Sequence, residues 1–254
     1  MKEYPNIDAS ITIRQLLNHG SGLYNYTDND SYWSDVNAHP DRIWLPEDVL
    51  KYVKPPINRG FSPPHYSNTN YTLLGMIIET VTRNSLEQEI QNRIFGPLRL
   101  SNTHLAKDGF NPNRWANSTS LRSAEYSSAW ADGAVVSTSR DIAKWSHRLY
   151  SGNFLNSKSM QSMFDLETRE IGSGWRSYVG LGVWKLRVEH ELAWGHGGLL
   201  PPFLSRLLYL PKFELGVAYA SSGEYVTKQA VPGDLLVRAY IDNRPDSIAM
   251  CFDS

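Results

Sequence analysis

The chain has 254 residues, 41% of them apolar, and 25 basic against 26 acidic side chains that are interspersed along its length. That balance leaves no basic patch for nucleic acid or an anionic membrane surface. No apolar run reaches membrane-spanning length, MKEYPNIDAS has no apolar signal core, and the lone Cys251 cannot form an internal disulfide.

In chain order, Thr12-Ile13-Arg14-Gln15 fits a capping box before a short helix carrying Ile13, Leu16 and Leu17, ended by Gly20 and Gly22. Residues 23–45 are polar and aromatic without a sustained period, which predicts a long loop with short helical pieces. Pro46 suits the first turn of a helix running to about Val53. The strongest periodic segment follows Tyr66-Ser67-Asn68: Leu74, Ile77, Ile78 and Val81 recur at helical spacing, with Ser67 or Asn68 as the cap. A second capping box, Ser85-Leu86-Glu87-Gln88, opens a helix that buries Leu86, Ile90 and Ile94 and stops before Pro97. Residues 101–130 read as irregular. Ala134–Ser137 is strand-like, Thr138 or Ser139 caps a helix with Ile142, Trp145 and Leu149 inward, and Ser157 begins a short helix ending near Phe164.

From about Gly180 the period shortens. Leu181–Val188, Leu192–Gly195, Leu204–Leu210 and Leu215–Ala220 read as strands, the last two joined through Pro211-Lys212-Phe213. A helix over Asp234–Ile241, with Leu235, Leu236 and Ala239 inward, closes the chain. Helices followed by antiparallel strands and a final helix give an α+β class: one domain over 1–254, mostly helical over 11–172, with strands and the C-terminal helix over 173–254.

The seven histidines form no HExxH or Cys/His cluster, so no metal site is expected. There is no glycine-rich phosphate loop and no GxSxG elbow, so no nucleotide cofactor is expected. Two signals remain. Tyr66-Ser67-Asn68 places a phenol and an amide at a helix start; the bland alternative is a capped helix whose tyrosine only packs. Gly195-His196-Gly197-Gly198 joins a histidine to two glycines that let a substrate approach an extended backbone; the bland alternative is a glycine-rich turn. Eight Trp and 14 Tyr suit either an aromatic groove or a core of large side chains.

In this order and context the two signals closely resemble the serine β-lactamase-like family: class C β-lactamases, penicillin-binding D-alanyl-D-alanine carboxypeptidases, D-aminopeptidases and related esterases. The resemblance is carried by ITIRQLLNHGSGL, YSNTNYTLLGMIIE, IFGPLRLSNT, GAVVSTSRDIAKW, and WGHGG with SRLLYLPKFELGV, and spans nearly the whole chain. It implies a β-lactamase/transpeptidase-like fold, an antiparallel sheet flanked by helices beside a mostly helical region, and acyl transfer through a serine ester with no cofactor. Tyr66 and Asn68 match the family's Tyr-x-Asn motif, and His196-Gly197-Gly198 its Lys-Thr-Gly-like motif in His-x-Gly form. By the same resemblance Tyr66 relays protons, Asn68 bonds the substrate amide, Gly197 and Gly198 receive the substrate backbone, and the Leu199 N–H is an oxyanion donor. Substrates would be D-amino-acid peptides, β-lactams or small esters, and the setting extracytoplasmic or at the cell envelope.

Two departures stand out. None of the serines has a lysine three residues later, so the Ser-x-x-Lys nucleophile motif is missing. The resemblance puts that motif upstream of ITIRQLL, which implies an N-terminally truncated member, inactive alone, with an unpaired sheet edge that a second polypeptide could complete. And Pro201-Pro202-Phe203 replaces the usual Pro-Gly-aromatic. The competing expectations are a non-catalytic peptide- or partner-binding protein, and a hydrolase using Ser21 in His19-Gly20-Ser21-Gly22.

Overall fold

Thr12 and Ser85 close the two capping boxes read from the sequence, at the starts of α1 (Ile13–Leu17) and α5 (Leu86–Ile90), the latter running on as a π turn over Gln91–Phe95. The computed structural model describes residues 4–55, 65–106, 122–171, 175–222 and 232–243. Between α1 and α5 lie α2 (Asp30–Ala38), α3 (Pro46–Leu50) and α4 (Asn68–Thr82). Their core buries Leu16, Tyr26, Tyr32, Trp44, Val49 and Leu74, so the aromatics of 23–45 are mostly core residues rather than a groove lining. Beyond α5 come β1 (His104–Leu105), α6 (Ser123–Gly133), β2 (Val135–Val136), α7 (Ser139–Tyr150) and α8 (Ser157–Met163). Thr138 caps α7, accepting from the Asp141 N–H at 3.2 Å. The irregular stretch expected over 101–130 is therefore interrupted by β1 and α6, and 107–121 lies outside the described residues.

Six antiparallel strands follow in order: β3 (Glu167–Ile171), β4 (Trp175–Val179), β5 (Trp184–Val188), β6 (Glu191–Leu200), β7 (Phe203–Leu210) and β8 (Leu215–Ser222). The strand pattern thus starts at Glu167, earlier than its period suggests. The two faces of β7 are packed differently, as strand alternation requires. Leu207 and Tyr209 meet Trp145, Leu149 and Tyr150 of α7. Leu208 and Leu210 meet Val237 of α9 (Pro232–Asp242). Among the described residues the two outer strands of the sheet differ in chemistry: β3 reads Glu-Thr-Arg-Glu-Ile, while all eight residues of β8 are uncharged.

Two inward faces depart from expectation. In α9 the inward residues are Val237 and, in part, Ile241; Leu235 and Leu236 are 60% and 50% exposed, and Ala239 is exposed too. A single short helix on a flat sheet buries one narrow stripe, so three of its apolar residues stay outside. In α4, Leu74 is buried but Ile78 and Val81 face out, at 37% and 76% exposure. The buried stripe of α4 is instead Thr69, Asn70, Thr72, Leu74 and Gly75. Gly75 permits α6 to cross closely, since a Cβ there would lie 2.6 Å from the Ala131 Cβ and 2.8 Å from the Trp130 ring. Gly75→Ala is therefore expected to destabilise by about 1–3 kcal/mol in chemical denaturation, through overpacking. No described helix is long and apolar enough to cross a membrane.

Candidate active site

The segment before α4 is fixed from outside the helix. Ser67 occupies the N-cap position, but its side chain makes no capping bond; the hydroxyl donates to the Tyr24 carbonyl at 3.3 Å. The free backbone donors are met by neighbours instead. The Ser67 N–H donates to His19 Nδ1 at 3.2 Å, and the Asn68 N–H to Asn25 Oδ1 at 3.0 Å. His19 is fully buried, with φ +56°, and its ring lies 4.1 Å from that of Tyr66. Because Nδ1 accepts from Ser67, the ring carries its proton on Nε2. His19 thereby ties the HGSG turn to the Tyr66 segment.

The helical region meets the sheet here. Gly182 N–H and Tyr71 Oη both donate to the Leu17 carbonyl, at 3.1 and 3.0 Å, and Asn18 Nδ2 donates to Glu167 at 2.9 Å. Across this junction the Tyr66 ring lies 6.2 Å from His196 and 6.0 Å from Trp184, and Trp184 lies 4.2 Å from His196. Tyr66 and His196 are thus brought together. Asn68, two residues on at the start of α4, donates through Nδ2 to Thr27 Oγ1 at 3.2 Å.

His196, Gly197, Gly198 and Leu199 lie within β6, not in a turn after a strand. β5 pairs with β6 only up to Gly195, whereas β7 pairs to Leu200, so the last five residues of β6 have one open side. The turn at Pro201-Pro202 closes Leu200 on Phe203. Peptide groups alternate along a strand, so those of Gly197 and Leu199 turn toward the side β5 has left.

His196 Nδ1 lies 2.5 Å from the Gly197 carbonyl, so Nδ1 is the protonated nitrogen and Nε2 keeps its lone pair. Burial lowers the His196 pKa, partly offset by that hydrogen bond, which favours a neutral ring. Burial pushes the Tyr66 phenol up, and the negative charge of Asp132 adds to this. Asp132 itself, accepting from Tyr26 Oη at 2.9 Å and Thr72 Oγ1 at 3.0 Å, is pushed by burial from 3.8 up to about 8 despite those hydrogen bonds.

The unfolded chain loses this proton near pH 4 while the folded chain keeps it to about pH 8. Between those values the folded state binds more protons, so this contribution to stability falls as pH rises. Asp132→Asn should flatten the stability profile between pH 5 and 8, measured by denaturant unfolding. Parallel profiles for the two proteins would contradict the burial of this carboxyl.

Ser21 does not act as a free hydroxyl. It donates to Asn70 Oδ1 at 2.6 Å and accepts from the Leu23 N–H at 3.1 Å, and no imidazole takes its proton. Sequence reading missed Trp184 and Asp132. Trp184 starts a strand and its Nε1 is buried without an acceptor among the described residues. Nothing in its local pattern marks it; only the sheet register brings it to His196.

The sequence profile described as Beta-lactamase matches residues 3–240. The chain is 27% identical over 195 residues to penicillin-binding protein 4* of Bacillus subtilis, covering 65% of this chain and 42% of that protein. It is 28% identical over 237 residues to protein flp of Staphylococcus aureus, covering 89% of this chain and 46% of that one. The chain thus spans about half the length of the curated relatives it matches. Among solved structures, the D-amino acid amidase of Ochrobactrum anthropi SV3 complexed with D-phenylalanine superposes with a TM-score of 0.74 at 25% identity, covering 91% of this chain and 78% of that one.

Proposed function

Since this chain belongs to the β-lactamase-like serine hydrolase family, we propose that it forms the cleft of an acyl-transfer enzyme whose nucleophile is supplied by a segment outside it. Its substrates are amides or esters of the D-amino-acid peptide, β-lactam or small-ester kind, and alone it is inactive. The observation that carries this reading is the convergence of Tyr66 and His196, from segments distant in sequence, beside the open side of β6.

The roles are those the resemblance implies, and the geometry supports them. A serine attacking the carbonyl must lose a proton, and Tyr66 is the group placed to relay it. In the empty cleft the phenol is held neutral, so it becomes a base only when a cation arrives beside it, as the lysine of Ser-x-x-Lys would. Asn68 orients the substrate amide. Gly197 and Gly198 leave room for the substrate backbone, and the Leu199 N–H stabilises the oxyanion. A neutral His196, unlike a lysine, can accept a hydrogen bond at Nε2, which suits a substrate donor at that point.

A fluorophosphonate probe tests the proposal. The isolated chain should stay unlabelled, and co-expression with the coding sequence that precedes it should restore labelling at a serine followed three residues later by lysine. Labelling of the isolated chain, or none in the completed protein, would overturn it. The second reading, binding without turnover, is favoured by the missing Ser-x-x-Lys alone; it predicts a saturable ligand and no labelling in either form.

A further inference from the structure

We infer that His19, in the turn after α1, is the positioning residue for the Tyr66 phenol, one imidazole gripping both the ring and the backbone of Tyr66 where a proton relay needs them; this deepens the acyl-transfer reading and rests on it.

Tyr66 lies outside α4, which begins at Asn68, so the helix does not set its place. His19 supplies two grips. Its ring lies 4.1 Å from the phenol ring, tilted by 33°, and its Nδ1 accepts the N–H of Ser67 at 3.2 Å, in the peptide group that follows Tyr66. The first contact limits the plane of the phenol and the second the Cα from which it hangs. His19 is held in turn. Its N–H donates to the Leu16 carbonyl at 3.3 Å. The Tyr71 ring lies 5.3 Å from it, and the Tyr71 hydroxyl is tied to the Leu17 carbonyl at 3.0 Å. Asn70 Nδ2 donates to the same Nδ1 at 3.2 Å, while Asn70 Oδ1 accepts from the Ser21 hydroxyl at 2.6 Å. His19, Ser67 and Asn70 are all fully buried. A row of polar groups, Ser21–Asn70–His19–Ser67, thus runs from the HGSG turn to the residue after Tyr66.

Packing alone does not need this arrangement. A phenylalanine would fill the space and meet the Tyr66 ring, but would leave the Ser67 N–H and the Asn70 amide buried without their acceptor. An asparagine would accept from them and tolerates the left-handed backbone that His19 adopts at φ +56°, but presents no ring to Tyr66. Imidazole does both. The demand for both comes from the chemistry, because a phenol that passes a proton between a serine and a leaving group loses about 10²-fold in rate when displaced by about 1 Å.

His19→Asn, which keeps the acceptor and the backbone conformation, is the test. The chain labelled with 3-fluorotyrosine gives a fluorine resonance assigned to Tyr66 by its loss in Tyr66→Phe. His19→Asn should shift and broaden that resonance while leaving that of exposed Tyr178 in place. This readout needs no serine, so failure of the positioning and failure of the acylation reading are told apart. In the protein completed with its Ser-x-x-Lys segment, His19→Asn should lower kcat on a chromogenic ester by about 10–100-fold, with KM within about threefold. In the Tyr66→Phe background the same substitution should cost less than about threefold, because no phenol is left to position. An unmoved Tyr66 resonance, an undiminished kcat, or an equal loss in both backgrounds would overturn it. If His19→Asn does not fold, Ser21→Ala decides: it releases the Asn70 amide from its far end, and should shift the Tyr66 resonance in a folded chain. No shift there would overturn the positioning role.

Discussion

Replacing Tyr66 by phenylalanine in the protein completed with its Ser-x-x-Lys segment is expected to lower kcat by about 10²–10⁴-fold, the usual worth of a positioned proton relay. The substitution separates chemistry from packing. The ring that lies against His19 at 4.1 Å and edge-on to Trp184 at 6.0 Å is retained, so thermal stability should hardly change. KM should move little, because in the proposed role the phenol acts on protons in flight rather than on the resting substrate. Steady-state kinetics on a chromogenic ester reads both parameters. A kcat within about threefold of the unsubstituted protein would assign the relay to another group.

Gly195→Ala should have a large effect on stability. An added Cβ would fall 2.1 Å from the Leu207 carbonyl oxygen and 3.2 Å from the Leu208 Cα. Both are backbone atoms, so no side-chain rotation relieves the contact and β6 must move away from β7. The cost should reach about 3 kcal/mol, at the upper end of overpacking, and lower Tm by about 6–12 °C in a chain of this size. The shift also displaces His196, the next residue. A Tm within about 2 °C of the parent would mean the strands can part cheaply there.

Local signals were legible where short-range chemistry decides the outcome. The capping boxes at Thr12 and Ser85, the cap at Thr138 and the β7–β8 hairpin each follow from a few adjacent residues. Tyr66 and His196 were legible as motifs, and the structure sets them within ring contact. What escaped depends on packing across elements. Val81 fits a helical stripe, yet α4 buries Thr69, Thr72 and Asn70 because the HGSG turn, Tyr26 and Asp132 supply polar partners there. Leu235 and Leu236 look like core residues, but the stripe that α9 lays on the sheet is Val237 with Ile241 one turn on. β3 carries too many polar residues to announce a strand, and Asp132 becomes notable only when Tyr26 and Thr72 converge on it.

The chemical difference between the two sheet edges governs how the isolated chain behaves in a tube. β3 has three charged residues among its five, a composition natural edge strands commonly use against pairing. β8 offers eight uncharged residues and, on the helix beside it, exposed Leu235, Leu236 and Tyr240. Self-association through this face at high concentration, with the chain still folded, is the expected outcome, and a lysine at exposed Ala220 should reduce it in analytical ultracentrifugation.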